Sequence, residues 1–337
     1  YLDGRHPSSI IFTEEEQDAQ RRDFTINAMF YDPEQDTVLD YVGGMDDLTS
    51  GVIRAVGDPL RRFEEDRLRL LRGVRFASRL GYKIDDETFS AMQTMAAQII
   101  TTSAERIRDE ILKMLTGGHA RMAFELLDVT GLLQHVLPEI AAMRGVEQPP
   151  VFHPEGDVWQ HTLLMLGQLP CGVSPTLAMA SLLHDVGKPS TQTYEDRIRF
   201  NLHEKAGARI AEKVCDRLRL SNADARRVVW LVENHMRMKD FLNMRKHRRI
   251  YFAREEGFSE LLQLCRMDAL ASHGDTGFLD EIEAYLASLD DGNLKPAPLL
   301  TGRDLIEMGF TPGPQFRHIL REIEALQLEG QLADSET

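Results

Sequence analysis

The chain is 337 residues long, more than one ordinary core accommodates, so two or three domains are expected. Hydrophobic residues make up 42% and charged residues 28%, the balance of a folded protein rather than a disordered or fibrous one. No apolar run approaches the roughly 20 residues of a membrane helix. A net charge of −15 excludes wholesale coating of nucleic acid.

No signal peptide opens the chain, and Cys171, Cys215 and Cys265 lie far apart without a CxxC pair. A reducing, cytoplasmic compartment is therefore expected, with neither a disulfide framework nor a thiolate zinc site. The acidic average conceals two local reversals. Residues 54–79 carry eight arginines against four acids, and residues 236–249 carry six basic residues against Asp240 alone. Patches of this kind suit a polyanion held in a groove.

In chain order, residues 10–12, 25–31 and 38–42 are rich in β-formers and predict short strands, the last two joined by the turn-forming residues 32–36. From about Phe63 onward, apolar periodicity and Gly/Pro punctuation predict helices almost throughout. The clearest breaks fall at 144–157 and 290–298. Four parts follow: a mixed segment 1–55, a helical segment 56–143, a larger helical domain 144–290 and a short helical tail 291–337. The fold class is thus mainly α with a small α/β portion at the start.

The stretch 63–80 predicts one helix. Leu68, Leu71, Val74 and Ala77 recur at i+3 and give it an apolar stripe, while Asp66, Arg69 and Arg72 follow the same step on another face. Its bland reading is a salt-bridge ladder on a solvated helix. Its sharper reading rests on hydrogen bonding: a carboxylate only accepts and a guanidinium only donates. Cytosine and adenine each place an amino donor beside a ring-nitrogen acceptor. Asp66 with Arg69 matches both edges, whereas uracil and guanine present a carbonyl to the carboxylate and an N–H to the guanidinium. A fixed pair can therefore select C and A without a template.

The segments RRDFTINA (21–28), DYVGGMDDL (40–48), IRAVGDP (53–59), RRFEEDRLRLLRGVRFASRL (61–80) and SAERIRDE (103–110) occur in this order. Together they resemble class II tRNA nucleotidyltransferases (CCA-adding enzymes) and bacterial poly(A) polymerases. The resemblance implies that residues 1–55 are the C-terminal part of a polymerase-β-like head and that 56–143 form a helical neck binding nucleotide and RNA. It implies that Arg22, Asp23 and Asn27 contact the ribose and triphosphate, that Asp66 and Arg69 read the base, and that Arg72 supports phosphate or the pair. Gly43 and Gly44 become a hinge, and Glu105 with Arg106 brace the neck.

The implied activity is addition of C and A to the tRNA 3′ end from CTP and ATP, with Mg²⁺ as the cofactor of transfer and no obligate protein partner or membrane. Poly(A) polymerases and enzymes adding CC or A alone share these motifs and stay open as alternatives. The family holds Mg²⁺ on an Asp-x-Asp pair that lies N-terminal to the sequence resembling YLDGRHP. No Asp-x-Asp occurs in this chain, so it contributes no catalytic residue for nucleotidyl transfer, and a longer gene product is expected. The chain as given is expected to bind nucleotide poorly and transfer none.

The third part carries His161, His184-Asp185, His203, His235 and Asp268, each in a helix-like context. A lone helical histidine is ordinarily a core or surface residue, but imidazoles and carboxylates spread over several helices can converge on one ion. The pattern resembles the HD phosphohydrolase superfamily. The resemblance makes His161, His184, Asp185 and Asp268 the basic ligand set, and adds His203 and His235 for a second ion. The cofactor implied is a divalent metal (Mn, Ni, Mg or Fe). Lys188 is expected to help neutralise a phosphate, whereas His153, His247 and His273 receive no role. An HD phosphohydrolase as the principal activity is the reading from another class. Asp304 and the turn at 309–314 predict a compact helix–turn–helix tail packed on the rest.

Overall fold

The computed structural model describes residues 15–150, 153–289, 294 and 296–332. The strand expected at 10–12 lies outside them. The first described part is small and mixed. Strand Phe30–Asp32 pairs antiparallel with Thr37–Leu39, and Val52–Ile53 pairs in parallel with Lys83–Ile84. The strand expected over 25–31 is present only at its end, because Thr25–Asn27 forms a 3-10 turn. Local side chains win there. Asn27 Nδ2 donates to Asp23 Oδ1 at 2.6 Å, Asn27 Oδ1 accepts from Phe24 N, and Thr25 Oγ1 donates to Asp47 Oδ2 at 2.7 Å. Such bonds compete with a strand ladder.

Gly43 has φ +78°, and a Cβ at Gly44 would stand 2.3 Å from the Thr25 carbonyl oxygen. These glycines let the Gly44–Ser50 helix close onto the 3-10 turn.

Almost everything further along is helical, as the periodicity indicates, with one correction at the start. The expected single helix over 63–80 is two. Pro59–Glu65, capped by Asp58 accepting from Arg61 N, ends at Asp66, whose backbone is extended (φ −152°, ψ 107°). Leu68–Leu80 then begins afresh, stopped at Gly81 with φ +68°. The apolar stripe behaves as its spacing implies: Leu71, Val74 and Ala77 are fully buried and Leu68 nearly so. Helices Ala104–Thr116 and Ala120–Val129 pack over it.

The next helices, Val158–Leu166, Pro175–Leu183, His203–Arg217, Asn222–Asn234 and Phe258–Ala271, form a bundle. Pro175–Leu183 is at its centre, every residue from Leu177 to Leu183 being buried. One continuous cluster of buried apolar side chains runs from Phe24 to Ile282. The bundle is not wholly helical. An antiparallel hairpin, Gln192–Tyr194 with Ile198–Phe200, precedes His203, and its three-residue arms are too short to show a period-2 pattern. The tail is the expected helix–turn–helix. Gly302–Glu307 is capped reciprocally by Thr301 and Asp304, and Pro314–Leu328 packs on Lys246–Ala253 through Arg254–Glu324 (2.6 Å) and His247–Glu329 (2.7 Å). Among the described residues no helix is long and apolar enough to cross a membrane.

Candidate functional site

Two clusters gather the residues singled out by sequence. In the first, the 21–28 segment is clasped to the arginine helix. Arg72 Nε donates to Asp23 Oδ2, and Arg69 Nη2 donates to the Arg21 carbonyl at 2.8 Å. Asp23 is buried, and its Oδ1 also accepts from Asn27, so Asp23 positions Arg72 and Asn27. Arg22 turns outward, pairs with Asp18 at 2.7 Å and lies over the Phe30 ring.

Asp66 and Arg69 do not bond through their side chains. Arg69 Nη1 donates to Glu65 Oε2 and to the Arg62 carbonyl, both at 2.9 Å. Both oxygens of Asp66 accept from Arg106, at 3.1 and 2.7 Å. Their backbones still make an i,i+3 turn, Arg69 N donating to Asp66 O at 3.1 Å, so the two side chains leave adjacent positions. The ladder on one helical face is corrected to a carboxylate at a helix break beside an arginine in the first turn of the next helix.

In the second cluster, all six expected metal residues come together. His161 stands mid-helix in Val158–Leu166, and His184 and Asp185 follow the central helix. His203 opens its helix directly after Leu202, which is left-handed at φ +60°; His235 ends the Asn222–Asn234 helix, and Asp268 lies in Phe258–Ala271. The Nε2 atoms converge: His161 to His184 3.3 Å, His203 to His235 3.2 Å, His161 to Asp268 Oδ1 3.1 Å, His184 to Asp185 Oδ2 3.1 Å, and His203 to Asp185 Oδ1 3.4 Å.

Every Nδ1 faces an acceptor. In His184, His203 and His235 it is the carbonyl three residues earlier, of Ser181, Phe200 and Val232. In His161 it is Glu155 Oε1, at 2.7 Å. Carbonyls and carboxylates only accept, so each Nδ1 carries a proton and Nε2 is the atom turned inward; in the ion-free cluster His161 Nε2 also donates to Asp268 Oδ1, a proton that an ion would displace. Metal-bound histidines are oriented in this way.

The electrostatics fit. Burial alone would raise Asp185, but His184 and Lys188 outweigh it and hold its carboxyl well below the usual range. Asp268 is likewise lowered against burial, by its hydrogen bond to His161 and by the neighbouring His184. Burial drives His235 down to about 3. His161 is opposed by burial but raised to about 9 by Asp268 and Glu155. Asp185 Oδ2 is buried; although Lys188 Nζ lies 2.6 Å away, no donor meets that oxygen in hydrogen-bond geometry. Four inward Nε2 atoms, two carboxylates and an unsatisfied buried oxygen fit the donor set of a divalent cation. Asp185 belongs to both trios, His161–His184–Asp185 and Asp185–His203–His235.

A cavity of about 420 Å³ opens over this cluster, walled in part by Arg197, Lys239, Phe200 and Phe278. Lys188 also lines the cavity, held between Asp185 Oδ2 and Gln148 Oε1, each at 2.6 Å. Arg197, Arg199 and Lys239 add further positive charge along the cavity wall.

Sequence reasoning missed Glu155, Gln148 and the hairpin arginines, and gave no role to His153 and His273, both of which line the cavity. An acid six residues before His161, in the loop that leads into its helix, was the available signal for Glu155. The basic stretch 236–249 is partly spent on packing, Arg237 stacking on Phe252 and Arg249 on Tyr285. Arg245 and Arg248 instead line a groove with Arg321 of the tail.

Comparison with known proteins agrees. The family model for the poly A polymerase head domain matches residues 1–54, that for the probable RNA and SrmB-binding site of polymerase A matches 81–144, and that for the HD domain matches 158–272. The A-adding tRNA nucleotidyltransferase of Deinococcus radiodurans is 32% identical over 336 residues, covering 94% of this chain and 76% of that protein. The chain belongs to the tRNA nucleotidyltransferase and poly(A) polymerase family.

A multifunctional CCA protein of Acinetobacter baumannii is 34% identical over 267 residues, covering 75% of this chain and 64% of that protein. Among solved structures, the Bacillus stearothermophilus CCA-adding enzyme in complex with CTP superposes with a TM-score of 0.68 at 23% identity, covering 96% of this chain and 72% of that one. The Thermotoga maritima CCA-adding enzyme complexed with tRNA gives 0.56 at 20%, with 96% and 72% covered. At these identities the two structures establish the shared fold.

Proposed function

We propose that this protein supplies the nucleotide-selecting and RNA-binding parts of a template-independent nucleotidyltransferase that adds C and A to the tRNA 3′ end from CTP and ATP. In this reading residues 1–55 belong to the head, 56–143 to the neck, 144–290 to the HD domain and 291–337 to the tail. The observation that carries it is the clasp of Arg72 on Asp23 and of Arg69 on the Arg21 carbonyl. That clasp gathers Arg22, Asp23, Asn27, Asp66, Arg69 and Arg72 around the start of one helix. The backbone turn from Asp66 to Arg69 supports a reading in which the carboxylate and the guanidinium offer an acceptor beside a donor, complementary to the edges of C and A. Binding with one pair suits both bases and leaves a buried polar group unmatched with U or G.

Mg²⁺ is the cofactor of such transfer, but this chain has no Asp-x-Asp pair to hold it. The test supplies tRNA lacking its 3′ end with CTP, ATP or both, to the full-length protein. Sequential C, C and A supports the reading. Addition of A alone to tRNA already ending in CC identifies an A-adding enzyme, and long ATP-only tails on generic RNA identify a poly(A) polymerase.

A second activity is favoured by the convergence of four Nε2 atoms on Asp185 and Asp268. In this reading His161, His184, Asp185, His203, His235 and Asp268 hold a divalent cation of the Mn, Ni, Mg or Fe kind, which when bound supplies an acidified water for attack on a phosphate ester. Arg197, Arg199 and Lys239 attract the phosphate, and the histidine carbonyl tethers fix the ligands. Replacing Asp185 with Ala is expected to abolish phosphatase activity while nucleotide addition persists. Loss of both together overturns the independence of the two sites.

A further inference from the structure

The four inward-facing histidines are not tethered alike. Three hold Nδ1 on a backbone carbonyl three residues earlier, a neutral and fixed acceptor. His161 is the exception. Its own i−3 carbonyl, that of Val158, accepts from Thr162 Oγ1 at 2.8 Å, and its Nδ1 turns to the Glu155 carboxylate. Glu155 is nearly buried, its side chain 7% exposed. Both side-chain hydrogen bonds it makes among the described residues come from imidazoles, His161 at 2.7 Å and His153 at 2.9 Å, and both fall on Oε1. Its Oε2 is buried without a partner. An apolar side chain there would leave both imidazole N–H groups without an acceptor, whereas an amide would keep an acceptor and lose only the charge.

A carboxylate behind an imidazole does two things that a carbonyl cannot. It makes the ring a stronger electron donor at Nε2, and it brings a full negative charge within one ring's width of the ion. We propose that Glu155 is a positioning residue that sets the strength of one of the two ion sites, the one built on His161, His184, Asp185 and Asp268. The site that shares Asp185 with His203 and His235 is tethered only by carbonyls and is the weaker of the two. His153, as the second donor on Oε1, keeps the carboxylate aimed at His161. This proposal rests on the reading of the six residues as metal ligands.

The test titrates Mn²⁺ or Ni²⁺ into the chelator-treated full-length protein by calorimetry, for the wild type, Glu155→Gln and Glu155→Ala. Two binding events of unequal affinity are expected for the wild type. Glu155→Ala is expected to weaken the tighter event about 10- to 100-fold and leave the other unchanged. Glu155→Gln retains an acceptor but not the charge and is expected to fall between. Thermal unfolding of each ion-free variant reports whether it folds, and the visible spectrum of bound Co²⁺ is expected to change in Glu155→Gln even where occupancy is restored by excess ion. Equal affinities and spectra across the three proteins would overturn the role of Glu155 while leaving the metal site standing. A wild type that takes up no ion overturns both.

Discussion

Asp66 and Arg106 form a two-pronged ion pair, Nη1 on Oδ1 at 3.1 Å and Nη2 on Oδ2 at 2.7 Å, between side chains forty positions apart. A carboxylate has about four lone-pair sites; Arg106 takes two and Leu68 N takes a third on Oδ1 at 3.1 Å, which leaves one for a base amino group. The helix break at Asp66 frees its side chain from the helical surface, and Arg106 then fixes where it points. In the full-length enzyme, Arg106→Ala is expected to lower the preference for CTP and ATP over UTP and GTP by about 1–3 kcal/mol, roughly 5- to 150-fold in kcat/KM. Unchanged ratios among the four triphosphates would sink the arrangement.

Asp23 is the keystone of the same cluster. Asp23→Ala leaves Arg72 and Asn27 without their shared acceptor. The expected loss of stability is on the order of 2 kcal/mol, less than for a fully buried pair because the Arg72 side chain is 31% exposed. Urea denaturation measures it, and nucleotide KM is expected to rise in parallel.

The ion-free metal centre is expected to be most stable near pH 6.5. His235 has its pKa depressed from 6.5 to about 3, so it stabilises the fold above 6.5 and that contribution is lost as pH falls toward 3. His161 has the opposite sign: raised from 6.5 to about 9, its contribution is complete below 6.5 and is lost as pH rises through 9. The lowered carboxyls of Asp185 and Asp268 add a further loss as pH drops below 3.8. Denaturation of chelator-treated protein across this range gives a bell-shaped profile if these signs are right.

Ion uptake is expected to flatten the alkaline limb of that profile. A ligand histidine must be deprotonated, and His161 still holds its proton below about 9. Binding of Ni²⁺ at neutral pH is therefore expected to release a proton, detected as a dependence of the calorimetric enthalpy on the ionisation heat of the buffer. No such dependence contradicts the assignment of His161 as a ligand.

Gly187 packs the turn after Asp185 against the start of the His203–Arg217 helix. A Cβ there would stand 2.1 Å from the His203 carbonyl oxygen and 2.5 Å from Gly207 N, both backbone atoms with no freedom to yield. Gly187→Ala is expected to cost about 1–3 kcal/mol and to weaken ion binding by displacing His203. A variant with wild-type stability and affinity would show that the two segments move apart at little cost.

The sequence by itself determined what local chemistry and periodicity can fix. The i+3 spacing of Leu68, Leu71, Val74 and Ala77 required a buried helical stripe, and the stripe is buried. His161, His184, Asp185, His203, His235 and Asp268, through their resemblance to the HD superfamily, pointed to a candidate cation-binding set, and the bundle draws them together. Only the tertiary structure decided the partners. Asp66 lies at a helix break and meets Arg106 rather than Arg69, Lys188 turns to Asp185 rather than to solvent, and Glu155 reaches His161 from a loop. The physical reason is that a helix's apolar period is written within a few consecutive residues. Which charged groups end up within hydrogen-bond reach depends instead on how separate segments are brought together by one shared core.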